Sequence, residues 1–419
     1  MTSLADAPVT TSAQPHLSER FVGRKYLQLV LTLGSLSAIG PLTIDMYLPA
    51  MPELTAQLGA TTAQAQLTIT GLLVGLGFGQ LIIGPLSDAV GRRKPLLIGL
   101  TVHAMMSLLC ALAPSITMLT LTRTLQGFAG AAVAVVAMAV VRDLFSGYRA
   151  AQLLSRLILV LGIAPILAPS FGSALLEFTS WQGIFVVLAV IGVLLFVLAI
   201  FALPETLPPE RRLPATFSAS LRSYRTLFAD KLFVIMVLVG GFMFATMFAY
   251  IAGSPFILQD IYGLSPQQFG IAFGVNAVGL IVMTQINPIL VKRYGPVSVL
   301  SVAVVIALTA AVVLLGFAVL SFGGLLGFMI PLWFVISAAG LAFPNAPAIA
   351  LNRHGDMAGT AAALLGAAQF MIGGLIAPLV GALDNGTAVP MAAVIVGTTG
   401  LSTILMLSAR RSLSTVSYA

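Results

Sequence analysis

The chain has 419 residues, of which 59% are hydrophobic and only 8% are charged, and its mean hydropathy is +1.06. These values exclude an ordinary soluble domain and predict an integral membrane protein. A net charge of +7 would suggest nucleic-acid binding in a soluble protein. Here the basic residues flank apolar runs, so we interpret them as topology signals and expect no nucleic-acid partner.

Twelve apolar runs follow one another along the chain. Each is long enough for a helix to cross about 30 Å of hydrocarbon, which predicts twelve transmembrane helices rather than a β-barrel. The predicted spans are residues 26–49, 64–86, 95–113, 116–141, 153–176, 182–203, 232–257, 267–290, 297–319, 324–351, 359–383 and 388–408.

The longest polar break divides the chain six plus six. It covers residues 204–231 and separates an N-terminal half, 26–203, from a C-terminal half, 232–408. Residues 1–25 are polar and lack the apolar centre of a signal peptide, so we expect a disordered tail there, and a second tail at 409–419.

Acidic and basic residues fall on different connections between the spans. With the N-terminus in the cytoplasm, the outer connections hold acids and no Lys or Arg, and the inner connections hold the Lys and Arg. The outer acids are Glu53, Glu177, Asp260 and Asp384. The positive-inside rule therefore predicts that both termini are cytoplasmic.

Short strings recur between the two halves. APSFG at 168–172 returns as APLVG at 377–381, an offset near half the chain. The offset indicates an internal duplication. Two such halves predict a transporter with its substrate site between them, near the middle of the membrane.

Two charged residues lie at membrane depth, Asp45 in the first span and Arg123 in the fourth. A charge inside a bilayer costs roughly 2.5–3.5 kcal/mol on insertion scales, so such residues usually face an interior cavity. At 1.5 Å per residue they lie about 6 and 10 Å from the outer surface, within reach of one cavity. We predict that Asp45, the only acid inside the spans, carries a proton and that Arg123 lies beside it. A helix cap at Asp45 and a structural arginine tied to carbonyl groups are the alternatives.

The loop GPLSDAVGRRK, residues 84–94, joins the second and third spans. Its glycines allow close helix approach and a tight turn, and its charged residues can pair with neighbouring helix ends. The loop resembles the signature G-x-L-x-D-x-x-G-R-[RK] of the major facilitator superfamily, although Ala89 stands where a basic residue is common. The matching residues are Gly84, Leu86, Asp88, Gly91, Arg92 and Arg93.

The resemblance implies a conformational latch in this loop. Asp88 would face the start of the eleventh span, near Gly359 and Thr360, and Arg92 would pair with Asp143. We expect both contacts only when the inner side is closed. The alternative is a basic loop that only sets the topology.

Two further motifs resemble the drug:proton antiporters of that superfamily. R-x-x-Q-G-x-x-x-A is matched at Arg123, Gln126, Gly127 and Ala131, and the resemblance implies that Arg123 takes part in proton coupling. GIAPILAPSFG, residues 162–172, is similar to the antiporter signature G-P-x-x-G-G in altered form. Together with IDMYLPAMP in the first span, it is similar to the Bcr/CflA (bicyclomycin and chloramphenicol resistance) subgroup.

The altered antiporter signature gives three gating candidates, Pro165, Pro169 and Gly172. The prolines break backbone hydrogen bonds and bend or stiffen the helix, and the glycine allows tight packing. A packing kink with no role in transport is the alternative.

The resemblance implies a major facilitator fold with two six-helix, pseudo-symmetric halves. It also implies proton-coupled efflux of small amphipathic antibiotics, such as phenicols or bicyclomycin-like compounds, by alternating access across the inner membrane of a bacterium. The alternative is proton-coupled transport of an endogenous metabolite. We expect a monomer whose partners are drug, protons and the lipid bilayer.

The sequence contains no nucleotide-binding loop, nucleophile elbow or metal-ligand cluster. We therefore predict a secondary transporter and not an enzyme, without a cofactor or metal and driven by the proton gradient. Polar and soft aromatic residues inside the spans are candidates for the substrate cavity, with interhelical bonds or plain packing as the alternative for them. These candidates are Tyr47, Gln126, Met243, Phe244, Met247, Tyr250, Asn276, Asn345 and Gln369.

Overall fold

The computed structural model describes residues 23–212, 224–352, 354 and 357–413. Within them, twelve helices are long and apolar enough to cross a membrane. They are α1 (Arg24–Asp45), α2 (Thr62–Val90), α3 (Arg93–Ala111), α4 (Ile116–Leu144), α5 (Gly147–Leu175), α6 (Trp181–Ala202), α7 (Lys231–Phe256), α8 (Pro266–Tyr294), α9 (Pro296–Val319), α10 (Gly324–Leu351), α11 (Ala358–Ala382) and α12 (Val389–Leu413).

The predicted all-α, twelve-helix membrane fold is confirmed. The helix ends differ from the predicted spans by a few residues at most termini. Most of the predicted N-terminal tail (1–22), the middle of the linker (213–223) and the end of the C-terminal tail (414–419) lie outside the described residues.

The first predicted span is interrupted directly after Asp45. The residue four positions later is Pro49, which has no N–H to offer the Asp45 carbonyl and whose ring would collide with it. The chain turns at residues 46–47, forms a 3₁₀ turn at Leu48–Ala50 and continues as the short helix Met51–Gln57. The predicted span over 26–49 is therefore present, but its helix is interrupted near the outer end, and Asp45 is the last residue of α1.

Two motif glycines allow helices to touch in the N-terminal half. A β-carbon on Gly127 in α4 would collide with the backbone carbonyl of Leu72 in α2. One on Gly172 in α5 would collide with the carbonyl of Met46, the residue after Asp45. Both glycines therefore fix helix positions beside the two charged residues at membrane depth.

The molecule has an acidic face and a basic face. The acidic face carries the helix connections with Glu53, Glu177, Asp260 and Asp384, and the basic face carries Arg92, Arg93 and Arg142. Among the described residues, every side-chain hydrogen bond between the two halves lies toward the acidic face. The halves are thus joined on the acidic side.

Toward the basic face, the halves are separated by a cavity of about 380 Å³. Asp88 and Arg142 line it from the N-terminal half, and Gly359 and Thr360 line it from the C-terminal half. The structure is therefore closed on its acidic face and open toward its basic face.

Gln66 in α2 is central to the closure of the acidic face. Its side chain is fully buried. Its Nε2 atom donates to the Ala252 carbonyl in α7 over 3.0 Å, and its Oε1 atom accepts from the Gly381 amide in α11 over 2.7 Å. One side chain of the N-terminal half thus bonds two helices of the C-terminal half.

We expect Gln66→Leu to shift the protein toward forms that are open on the acidic face. Leucine keeps much of the volume but leaves two backbone groups without their side-chain partner, which weakens the closed form by about 1–3 kcal/mol. Pulsed electron paramagnetic resonance between spin labels at the acidic-face ends of α2 and α11 should show longer distances.

Gln64→Leu is the matched control for this measurement. Gln64 lies on the same helix, is exposed and bonds only Thr61 of its own helix end. If the distances between the spin labels are the same in Gln66→Leu, Gln64→Leu and the parent, Gln66 does not hold this face closed.

Candidate functional site

A cavity of about 310 Å³ lies between the two halves, within the range of small-molecule sites. Its wall is mainly apolar. The C-terminal half contributes the aromatic residues Phe244, Phe248, Tyr250, Phe273 and Phe370. Of the described residues that line this central cavity, Asp45 is the only one that is Asp, Glu, Lys, Arg or His.

Asp45 lines the cavity without a protein partner. Its exposed fraction is 4%, and its Oδ1 atom makes no hydrogen bond. Among the described residues, the ion pairs within 4.0 Å do not include Asp45. An isolated carboxylate in apolar surroundings is costly unless a proton or a ligand neutralises it.

Arg123 in α4 is fully buried and points into the N-terminal half. Its Nη1 atom donates to the Thr43 carbonyl over 2.9 Å and to Gln126 Oε1 over 2.8 Å. Its Cζ atom lies 4.3 Å from the centre of the Tyr47 ring, a cation–π contact. The expected direct pair with Asp45 is wrong for this form of the protein, because the guanidinium faces a carbonyl and aromatic rings instead.

The contacts of Arg123 fall on both sides of Asp45. Thr43 is two residues before Asp45 and Tyr47 is two residues after it. Arg123 therefore fixes the turn that carries the carboxyl group, although the two charged groups do not pair. This geometry agrees with the alternative stated from the sequence, in which Arg123 is a structural arginine bound to a backbone carbonyl group.

A polar network surrounds Arg123. Gln126 Nε2 donates to Ser107 Oγ over 2.7 Å, and His103 Nε2 lies 3.0 Å from Thr43 Oγ1. The Tyr47 hydroxyl lies 3.1 Å from Thr68 Oγ1. Tyr47 and Gln126 were expected in the substrate cavity, and this is wrong, because both lie in the interior of the N-terminal half.

Three of the cavity candidates line the wall: Phe244, Met247 and Tyr250. Asn276 lies behind Tyr250 and bonds its hydroxyl oxygen over 3.2 Å. The sequence did not single out Phe248, Phe273, Phe370 and Gln80, which also line the wall.

Three candidates lie away from the wall, and their expected place in the cavity is wrong. Met243 packs in the core of the C-terminal half. Asn345 Nδ2 donates to Asn287 Oδ1 over 2.6 Å. Asn345 therefore makes an interhelical hydrogen bond, which was the alternative given for it from the sequence. Gln369 lies beside Gly240 in α7.

The basic loop is built around Arg92. Its Nε atom donates to Asp143 Oδ2 over 2.9 Å, and its Nη1 atom bonds Asp88 and, over 2.8 Å, Ser87. The predicted Arg92–Asp143 pair is present, but here the basic face is open. The expectation that this pair exists only when that side is closed is therefore wrong. Asp88 pairs with Arg92 and faces the cavity opposite α11.

Glu205, just after α6, is a partner that the sequence did not reveal. Its carboxylate accepts the backbone N–H groups of Arg92 and Arg93 over 2.8 and 3.2 Å, which neutralises the start of α3. Arg93 also donates from its side chain to the Ile200 carbonyl over 2.8 Å. The loop is thus tied to the end of α6 by both backbone and side chain.

The remaining gating candidates lie in different places and make different contacts. Pro165 lines the central cavity. The Pro169 carbonyl accepts a hydrogen bond from Ser173 over 2.8 Å. Gly84 has open space where a β-carbon would stand, whereas Gly91 has a φ of +96° and its β-carbon would collide with the Glu205 carboxylate.

Comparison with known proteins identifies the family. The family model of the Major Facilitator Superfamily matches residues 33–378. The chain belongs to the major facilitator superfamily.

Two relatives extend this assignment over most of the chain. A Bacillus subtilis (strain 168) protein named "Uncharacterized MFS-type transporter YdgK" is 42% identical over 89% of this chain and 92% of its own length. A "Bicyclomycin resistance protein homolog" of Haemophilus influenzae is 34% identical over 86% of this chain and 91% of its own length. This major facilitator protein is therefore a multi-pass membrane transporter and not an enzyme.

A solved structure shows the same fold at low sequence identity. The E. coli xylose transporter XylE, in a partially occluded inward open conformation, has a TM-score of 0.71 and 10% identity over 93% of this chain and 98% of its own. At this identity the likeness shows the fold alone.

We expect Gly91→Ala to lower the melting temperature of the purified protein. The backbone at Gly91 is in a region nearly restricted to glycine, which costs another residue about 1–3 kcal/mol. The added methyl group would also push on Glu205 and loosen the start of α3. Thermal unfolding in detergent, followed by intrinsic fluorescence, measures the effect.

Gly84→Ala in the same motif is the control. A β-carbon at Gly84 meets no neighbour within 4 Å, so this variant should melt at or above the parent temperature. Equal melting temperatures for the two variants would contradict the role assigned to Gly91.

Proposed function

We propose that the protein is a proton-coupled exporter of small amphipathic drugs in the cytoplasmic membrane of a bacterium. The observation that carries the proposal is the central cavity, which is mainly apolar and holds one carboxyl group without a protein partner. Such a cavity suits a small apolar ligand, and a lone carboxyl group suits the binding of one proton.

The basic face would lie in the cytoplasm by the positive-inside rule, which puts both termini there. The cavity lined by Asp88 and Thr360 would then be the cytoplasmic entrance, and the structure would be an inward-facing form. Drug would enter from the cytoplasm or the inner leaflet.

Coupling would follow from competition for Asp45. A proton on Asp45 cancels a charge that otherwise lies in apolar surroundings without a partner. Drug binding beside Asp45 would favour proton release to the cytoplasm, and a proton from outside would displace the drug after the acidic face opens. Arg123 would contribute by fixing residues 43–47 on both sides of the carboxyl group.

One further observation supports this proposal. One relative that aligns over 86% of this chain is named for bicyclomycin resistance. We also propose that the protein acts as a monomer and is driven by the proton gradient without a cofactor.

We expect Asp45→Asn to abolish drug transport driven by a pH gradient. Asparagine has the shape of aspartate but does not exchange a proton, so binding and folding should persist while coupling is lost. The measurement is proton flux into proteoliposomes with a panel that includes chloramphenicol and lipophilic cations.

Glu53→Gln is the control, because Glu53 is an exposed acid on the acidic face that bonds only Gln57. Proton flux at the parent rate in Asp45→Asn would disprove the coupling role of Asp45. If no drug of the panel causes proton flux through the parent protein, an endogenous metabolite is favoured as the substrate.

A further inference from the structure

Tyr250 and Asn276 form a polar pair at the wall of the central cavity. Tyr250 lies in α7 and Asn276 in α8, and both side chains are buried. Asn276 Nδ2 lies 3.2 Å from the Tyr250 hydroxyl oxygen. The Tyr250 ring stacks on Phe273 with 5.1 Å between the ring centres, so the hydroxyl group is held by both its ring and its partner.

The orientation of the Asn276 amide decides where the Tyr250 hydrogen points. Nδ2 also lies 3.4 Å from the Ala272 carbonyl, which only accepts hydrogen bonds. In the structure the NH₂ group faces both oxygens, so the Tyr250 oxygen is an acceptor, and Asn276 Oδ1 has no partner among the described residues. The Tyr250 hydrogen points elsewhere, and no described residue accepts it. Because Tyr250 lines the central cavity, its O–H group is available there.

The other polar groups of the cavity complement this donor. Asp45 faces the same space from α1, and its Oδ1 atom has no partner. Ser37 also lines the cavity, but its hydroxyl hydrogen is used by the Leu33 carbonyl over 2.8 Å. Gln80 in α2 also lines the cavity and carries an amide group. The N-terminal half thus offers a carboxyl and an amide group, and the C-terminal half offers one oriented O–H group.

We propose that Tyr250 is a specificity-determining hydrogen-bond donor, and that the cavity selects small apolar compounds with an acceptor oxygen, such as a carbonyl or nitro group. Asn276 is a positioning residue, because it acts through the Tyr250 hydroxyl. The inference rests on the proposed function, since it describes the ligand chemistry of the same cavity.

Two probes of different chemistry test the inference. Chloramphenicol carries amide and nitro oxygens that accept hydrogen bonds. Tetraphenylphosphonium is a lipophilic cation that has no hydrogen-bond donor or acceptor. Equilibrium binding of both is measured with the full chain in lipid nanodiscs. We expect Tyr250→Phe to weaken chloramphenicol binding by about 3- to 10-fold and to leave tetraphenylphosphonium binding unchanged.

A double-mutant cycle tests the positioning role of Asn276. Asn276→Leu keeps the volume but removes the amide that orients the hydroxyl, so it should weaken chloramphenicol binding selectively and by less than Tyr250→Phe. The double variant should be no weaker than Tyr250→Phe alone, because both changes act through one O–H group. A merely structural Asn276 would lower the binding of both probes and add to the effect of Tyr250→Phe.

Thr246→Val is the matched control on α7. Its hydroxyl lies 2.8 Å from Thr398 Oγ1 inside the C-terminal half, away from the cavity, so neither probe should respond. If Tyr250→Phe changes both probes equally, or changes neither, the inference is overturned and the drug site stands. A parent protein that binds neither probe overturns the proposed drug site and this inference with it.

Discussion

The geometry of the central cavity depends on how one buried guanidinium is held. Arg123 donates to the Thr43 carbonyl and lies against the Tyr47 ring, which are contacts on both sides of Asp45. A buried cation is stable only with compensating oxygens or π faces, so these contacts constrain the end of α1. Pro49 ends the helix at Asp45, and Arg123 fixes the turn that follows. The carboxyl group is thereby presented to the cavity instead of being paired inside the N-terminal half.

The same region shows a division between rigid and adaptable parts. Motif glycines press α4 against α2 and α5 against the turn after Asp45, so the N-terminal wall has little freedom to move. The opposite wall is made of aromatic and aliphatic side chains and includes the flexible Met247, so it can repack around ligands of different shape. A fixed polar point and a soft apolar wall suit a transporter that accepts several related compounds.

Closure of the acidic face combines a few directional contacts with a buried apolar cluster that includes residues of both halves. Gln66 bonds backbone groups of α7 and α11, and Thr70 donates to the Gly374 carbonyl over 2.8 Å. Each such bond contributes about 0.5–1.5 kcal/mol in addition to the apolar packing. Alternating access requires that a proton or a ligand can reverse the balance between the two forms. The basic loop behaves differently, since Arg92 pairs with Asp143 while its face is open.

The sequence by itself determined the number of helices, their order and the position of Asp45 in the first span. These properties follow from local hydrophobicity and from the energy of a charge in a bilayer, which depend on neighbouring residues alone. The loop at residues 84–94 was also recognisable, because its glycines and charges are contiguous.

The tertiary structure alone decided which side chains meet. α7 is apolar on all sides, so its sequence does not tell which face lines the cavity, and Met243 and Tyr250 were equal candidates although only Tyr250 lies there. The partners of Arg123 and the cap that Glu205 gives to α3 join residues from about 80 to about 110 positions apart. Helix depth places two such residues at one level of the membrane, but the direction of each side chain depends on how the helices pack.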